Sequence, residues 1–242
     1  MRTVVFIPAW NEEDSIVEVI AGVRASIPGA DLLVIDDGSV DATGERAREA
    51  GALVASLPFN QGLGAALQTG YLHALREGYE ACAHLDADGQ HPPAEVARLL
   101  EEIYADRADL VIGSRYRDPA KAESDDYKPT ISRRIGIGVF RFFLTLATRQ
   151  RFTDTTSGMR AANRSVMAMF SERYSPDFAE IESLQLAVRE GLRVEEVPVR
   201  MLERAGGTSF LTPLRSAFFI FKGMIVLLVG QFRPRHVEAN ER

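Results

Sequence analysis

Hydrophobic residues in the first half of this chain follow two alternating rhythms. Unbroken apolar runs of strand length occur at Thr3–Pro8, Asp31–Asp36, Ala52–Leu57, Ala81–Leu85 and Leu110–Gly113. Between them, apolar residues recur at the spacing of one helix face. Ile16, Val19, Ile20, Val23 and Ile27 form one such stripe, Gly62–Arg76 carries another, and Val96, Leu99, Leu100 and Ile103 a third. A short polar helix is expected over Asp41–Ala50. Asn11 is placed to cap the first helix, with Glu12, Glu13 and Asp14 near its positive end. Strands that are apolar throughout are buried on both faces. The pattern therefore predicts an α/β fold, a mostly parallel sheet with helices on both sides.

After Tyr116 the alternation stops. Residues 117–130 are polar and contain Asp118-Pro119 and Lys128-Pro129, which predicts a mobile loop. Helical segments follow, then a strand over Arg193–Met201 and an apolar C-terminal helix. There is no internal repeat. The expected division is a catalytic domain over 1–211 and an apolar helix with a basic tail over 212–242.

Polar clusters sit where three of the strands end. The first run ends Ile7-Pro8-Ala9-Trp10-Asn11-Glu12-Glu13, the second Ile35-Asp36-Asp37-Gly38-Ser39, and the fourth leads into Asp86-Ala87-Asp88-Gly89-Gln90. In a parallel sheet these ends share one edge, where ligands of open α/β sheets bind. Asp86 and Asp88 are one residue apart and repel unless a cation lies between them. Mg²⁺ commonly takes one or two carboxylates plus substrate phosphate oxygens, so the pair reads as a metal–diphosphate site with Gln90 as a further oxygen donor. An Asp-rich turn is the plain alternative. Asp36 or Asp37 can accept from a base or ribose, and Trp10 can pack on a ring.

Composition is that of a globular protein, 46% hydrophobic and 26% charged. The single cysteine, Cys82, excludes an internal disulfide framework and a Cys-based zinc site. It lies in an apolar run and reads as a small core residue. Met1-Arg2 leads straight into the first strand, too short a lead for a signal peptide, so a cytoplasmic domain is expected. The net charge of −6 hides an asymmetry. Residues 1–127 hold 10 Lys+Arg against 23 Asp+Glu, a net of −13, whereas residues 128–173 hold 9 against 2, a net of +7. The acidic part suits a metal and the basic part a phosphate or an anionic surface. No nucleic-acid-binding module is present, so nucleic acid is not an expected partner.

Taken together in order, six short motifs resemble glycosyltransferase family 2, in its dolichyl-phosphate mannosyltransferase-like, polyprenyl-phosphate branch. They are Ile7-Pro8-Ala9-Trp10-Asn11-Glu12, Asp36-Asp37-Gly38-Ser39, Asp86-Ala87-Asp88-Gly89-Gln90-His91-Pro92, Gly113-Ser114-Arg115-Tyr116, Asp154-Thr155-Thr156-Ser157-Gly158-Met159-Arg160 and Arg204-Ala205-Gly206-Gly207-Thr208-Ser209-Phe210. Each is weak alone; six in order over roughly residues 3–222 are specific. The resemblance implies a nucleotide-sugar-binding, GT-A type, Rossmann-like fold. It also implies that Pro8, Trp10, Glu12 and Asp37 line the nucleotide pocket, Trp10 standing where tyrosine is commoner. Asp86 would lie beside the ribose and diphosphate, while Asp88 and Gln90 would hold Mg²⁺ or Mn²⁺. Arg115 and Arg133 would grip a lipid phosphate acceptor, and Arg204 would close over the donor diphosphate.

Breaking an anomeric C–O bond to a nucleotide diphosphate puts negative charge on the leaving group, which a cation and an arginine stabilise. A hydroxyl acceptor needs a general base, for which Asp154 is the residue to consider; it can equally organise the Thr155–Gly158 turn. A phosphate acceptor is already anionic and needs arginines instead. The expected activity is an inverting, metal-dependent sugar transfer to a polyprenyl phosphate. A saccharide hydroxyl acceptor and a non-catalytic nucleotide-sugar-binding domain are the alternatives. A sugar-nucleotide pyrophosphorylase is disfavoured, because no glycine-rich N-terminal loop precedes a basic motif.

Ala217–Gly230 is apolar but, at 14 residues, shorter than the ~20 that cross a bilayer. Ile135–Ala147 is rich in phenylalanine and bracketed by Arg133, Arg134, Arg141, Arg149 and Arg151. Such segments suit the inner membrane interface, a small membrane protein or a second copy of the chain; packing against the core is the plain alternative.

Overall fold

Seven strands make one sheet: β1 (Thr3–Ala9), β2 (Asp31–Asp36), β3 (Leu53–Ser56), β4 (Ala81–His84), β5 (Leu110–Ser114), β6 (Arg160–Asn163) and β7 (Val194–Pro198). Their order is β3-β2-β1-β4-β6-β5-β7. The pairings are parallel except those of β6, which runs antiparallel between β4 and β5. The helices are α1 (Ile16–Ser26), α2 (Thr43–Glu49), α3 (Leu63–Arg76), α4 (Pro93–Tyr104), α5 (Ile131–Thr148), α6 (Arg164–Arg173), α7 (Ala179–Arg189) and α8 (Pro213–Gly230). This computed structural model describes residues 1–117, 131–176, 178–202 and 213–230, with side chains omitted for 131–135 and 213–220.

Alternate residues of β1 feed two cores. Val5 and Ile7 pack with Val19, Ile20 and Val23 of α1 and with Val96, Leu99 and Leu100 of α4. Val4 and Phe6 pack with Leu67, Tyr71 and Ala74 of α3, and the same core continues into α5, α6 and α7. Each fully buried apolar side chain stabilises by about 1.5–3 kcal/mol, which places β1 and β4 centrally, where both faces are covered. Cys82 lies in the second core, fully buried, and burial pushes its thiol far above the ordinary range. It is a packing residue.

Three expectations need correction. The strand β6, Arg-Ala-Ala-Asn, was not foreseen, because its four residues show neither an apolar run nor alternation. Asn11 does not cap the first helix. Helix α1 begins only at Ile16, after a turn in which Ser15 and Ile16 donate to the Glu12 carbonyl. Asn11 instead sits in the left-handed region, with φ of 54°, and ties two loops together. The late strand is shorter than expected, Val194–Pro198, although Val199 and Met201 beyond it remain buried. Of the loop expected over 117–130, residues 118–130 lie outside the described residues.

Candidate active site

Strand order reverses at β1, with β2 on one side and β4 on the other. The crevice beyond the carboxyl ends of these strands is where the fold leaves room for a ligand. Phe6 is paired with His84, so Asp86 and Asp88 emerge level with Pro8 and Trp10. Ala9 is paired with Asp36, which puts Asp37 at the same edge. The three polar clusters do converge.

The loops after β1 and β2 are knitted to each other. Asn11 N–H donates to Ser39 Oγ at 3.0 Å, and Asn11 Oδ1 accepts from Val40 N–H at 2.9 Å. Glu12 N–H donates to Thr43 Oγ1 at 2.8 Å. Asp36 accepts from Ser39 N–H, while the buried Asp37 carboxylate takes Gln61 N–H and Gly62 N–H, both at 2.8 Å. Asp37 thus anchors the loop before α3. Gly38 permits this turn: its φ is +67°, and an added Cβ would lie 2.5 Å from the Phe59 backbone. Trp10, half exposed, projects from the same rim.

The loop after β4 is built around a turn. Asp88 Oδ1 accepts from Gln90 N–H at 3.1 Å. His91 is buried, and its Nδ1 accepts from Asp86 N–H at 3.1 Å. Burial lowers the imidazole to about 4 despite the neighbouring Asp88 carboxylate, so the ring is neutral at pH 7 and serves as an acceptor. The carboxylates of Asp86 and Asp88 stay half exposed. Gly158 faces Asp86 so closely that a Cβ would lie 2.7 Å from Oδ1. Gln90 also meets the chain entering the last motif: its carbonyl accepts from Leu202 N–H at 2.9 Å, and its Nε2 reaches Leu202 O at 3.4 Å. Arg204, two residues on, lies outside the described residues, as do Gly206 and Gly207.

Arg115 follows β5 and is buried. Its Nε and Nη2 donate to the two oxygens of Asp154 at 2.6 and 2.7 Å, and Nη2 also reaches Thr156 Oγ1 at 2.9 Å. Glu196 of β7 completes the cluster by accepting from Thr153 N–H and Asp154 N–H. Burial alone would raise the Asp154 carboxyl, but the Arg115 charge and hydrogen bonds outweigh it and hold it below its ordinary value. Asp154 is fully buried and spends both oxygens on Arg115. Its geometry is that of an anchor rather than of a proton acceptor. Arg133 is in the first turn of α5, and its side chain lies outside the described residues.

Two neighbours have roles that the motifs do not announce: Glu180 lies in none of them, and Arg160 only ends the Asp154 motif. Glu180, in the first turn of α7, interacts electrostatically with Asp86, Arg115 and Arg160; burial, reinforced by Asp86, raises its carboxyl above the usual range. Arg160 is fully buried and, among the described residues, donates to uncharged acceptors: Ser157 O at 3.2 Å, Ser183 Oγ at 2.5 Å and Glu180 O at 2.7 Å. It fastens the turn that carries Gly158 to the start of α7. In the sequence, Glu180 is indistinguishable from Glu182, another acidic residue in the same helical turn.

Asp86, Asp88 and Gln90 offer oxygen donors on a single loop. Among the described residues no group of three or more His, Cys, Asp or Glu is placed to hold a metal unaided. The set fits a hard divalent cation whose shell is completed by phosphate oxygens.

The open α/β sheet, the acidic loop at its switch point and the buried Arg115–Asp154 ion pair beyond it are the architecture that the GT-A resemblance implies. The chain belongs to glycosyl transferase family 2, whose model matches residues 4–169. It is 33% identical over 232 residues to polyprenol monophosphomannose synthase of Mycolicibacterium smegmatis, covering 90% of this chain and 84% of that protein. It is 32% identical over 220 residues to undecaprenyl-phosphate mannosyltransferase of Micrococcus luteus, covering 86% and 87%. Among solved structures it resembles glucosyl-3-phosphoglycerate synthase of Mycobacterium tuberculosis in complex with Mn²⁺ and UDP-glucose. That match has a TM-score of 0.69 and 25% identity, covering 97% of this chain and 80% of the other.

Proposed function

We propose that this glycosyltransferase moves a sugar, with inversion, from a GDP- or UDP-sugar to a polyprenyl phosphate at the cytoplasmic face of a membrane. The observation that carries the reading is the meeting, at one sheet edge, of the half-exposed Asp86–Asp88 loop with the Arg115–Asp154 pair. The names of the relatives support the acceptor class. In this reading the catalytic domain spans 1–211, and 212–242 serves attachment.

Pro8, Trp10, Glu12 and Asp37 form the nucleotide side, with Asp37 holding the loop against which the base lies. Asp86 faces the ribose and diphosphate. Asp88 and Gln90, with Asp86 beside them, hold Mg²⁺ or Mn²⁺, which supplies Lewis-acid stabilisation of the leaving diphosphate. Arg204 adds its charge to the same diphosphate. Asp154 fixes the plane of Arg115, and Arg115 and Arg133 orient the acceptor phosphate for attack on the anomeric carbon from the face opposite the leaving group. An ionised phosphate oxygen is already a nucleophile, so no proton acceptor is needed. A hydroxyl acceptor is the second reading, favoured by the raised Glu180 carboxyl close to Asp86.

Thermal melting with a panel of nucleotide-sugars, each with and without Mn²⁺ or Mg²⁺, tests the donor site. The expected result is stabilisation by one donor only when metal is present, and its loss in Asp88→Ala. Absence of any metal-dependent shift overturns the reading. Arg133→Ala should abolish transfer to a polyprenyl phosphate while donor binding persists. Transfer to a saccharide hydroxyl but not to a polyprenyl phosphate, unchanged in Arg133→Ala and lost in Glu180→Gln, would favour the hydroxyl acceptor.

A further inference from the structure

The basic positions of residues 128–173 are spread along α5 and beyond it. Arg133 opens α5, whereas Arg141, Arg149 and Arg151 lie in and just beyond its second half. By helical rise Arg149 is roughly 24 Å from Arg133, too far for the two to hold one phosphate. Gln150 Nε2 donates to Val194 O at 2.8 Å, at the start of β7 and so at the sheet edge opposite the Asp86 loop. The acceptor chemistry proposed above leaves these three arginines without a task.

They line an open groove of about 720 Å³ together with Phe142, Leu146 and Phe152. Among the described residues no carboxylate lines it. Arg141 Nε donates to Phe152 O at 3.0 Å and so closes the groove's floor. Arg149 adopts a φ of 59° as its N–H bonds Thr145 O, a conformation that costs a non-glycine residue about 1 kcal/mol and turns the chain back along the helix. Helix α5 buries Ile137, Phe140 and Leu144 in the core, while Phe142 and Leu146 on its other side are 65% and 66% exposed. Helix α8 packs beside it, the Gly223 backbone lying against the Phe140 ring. It too buries one face, through Leu227, and exposes Phe221, Ile225, Leu228 and Val229 at helical spacing.

We infer that the α5 groove is a binding site for the anionic head groups of membrane phospholipid, separate from the acceptor site. The arginines take the lipid phosphate, and Phe142 and Leu146, with the outer stripe of α8, enter the boundary of the acyl chains. Charge complementarity selects an anionic partner, and the flanking exposed apolar residues select a lipid surface, since a soluble anion gains nothing from them. Among the described residues no helix is long and apolar enough to cross a membrane, so this attachment is to the surface. The inference rests on the preceding reading for its purpose, delivery of a membrane-borne acceptor, but on different residues.

The test is co-flotation of the full chain with vesicles of phosphatidylcholine alone or containing phosphatidylglycerol. The intact protein should float with the anionic vesicles, and salt should release it. Arg149→Glu with Arg151→Glu should weaken that binding roughly tenfold or more. Phe142→Ser with Leu146→Ser should weaken it while leaving the salt dependence. Both variants should keep the wild-type melting temperature and its shift with nucleotide-sugar and metal. Failure of the intact protein to float, or undiminished flotation of the arginine variant, overturns the inference. So does stabilisation by soluble glycerol phosphate that needs Arg149 and Arg151 and comes without flotation, which would assign the groove to a small anion. If flotation behaves as expected but no nucleotide-sugar shift appears, the donor reading fails and the lipid site stands.

Discussion

The crevice has two banks that bury charge in different ways. On the β1–β2 bank, Asp36 and Asp37 are buried carboxylates held by backbone N–H groups of Ser39, Gln61 and Gly62. On the β5–β7 bank, Arg115 is a buried cation held by Asp154, which in turn has Glu196 beneath its backbone. Amide dipoles hold a carboxylate without cancelling its charge, so the first bank keeps a negative field suited to a cation. A bidentate ion pair neutralises itself and fixes a plane, so the second bank offers a rigid guanidinium rather than a mobile one. Asp86 and Asp88, between the banks, are half exposed, unlike the buried Asp37 and Asp154 on either side.

The largest way to break this comparison is to remove one member of the ion pair. Asp154→Ala leaves Arg115 buried without its counter-charge and should cost about 3–5 kcal/mol, read by denaturant titration. On the opposite bank, Asp37→Ala strands two backbone donors, with a smaller expected loss of about 1–3 kcal/mol in the same measurement. Gly158→Ala sharpens the contrast without touching either anchor. Its methyl would crowd Asp86 Oδ1, so metal-dependent nucleotide binding should weaken by roughly tenfold, about 1.4 kcal/mol, while the melting temperature changes little; calorimetric titration reads it. The smallest effect is on pH dependence. Asp154 titrates below its ordinary 3.8 in the folded protein, so the unfolded chain takes up the proton first as pH falls. Its contribution is complete above 3.8 and is lost below it. Melting curves between about pH 5 and pH 3 should therefore fall more steeply for the wild type than for Asp154→Asn.

Much of the first bank is legible in the sequence. Val4-Val5-Phe6-Ile7 and Leu32-Leu33-Val34-Ile35 are apolar because both faces of their strands are covered, and the polar residues after them mark the strand ends. The second bank was legible only as motifs. Arg115 and Asp154 are 39 positions apart, and neither residue type announces the other. β6 could not be seen, because Arg-Ala-Ala-Asn becomes a strand only by slotting between β4 and β5. The lone Arg160 in it is buried because carbonyls and a hydroxyl from α7 and from the Ser157 turn receive it.

From its sequence alone this chain determines a parallel α/β half, an edge where three acidic loops meet, and membership of a glycosyltransferase family. Local apolar patterning and short contiguous motifs are sufficient for these. Only the tertiary structure decided that Asp37 anchors a loop, that Asp154 serves Arg115, that Glu180 lies within electrostatic reach of Asp86, and that Arg141, Arg149 and Arg151 share one groove. The first three depend on contacts between residues far apart in the chain, and burial and charge at such contacts arise from packing that no local pattern encodes.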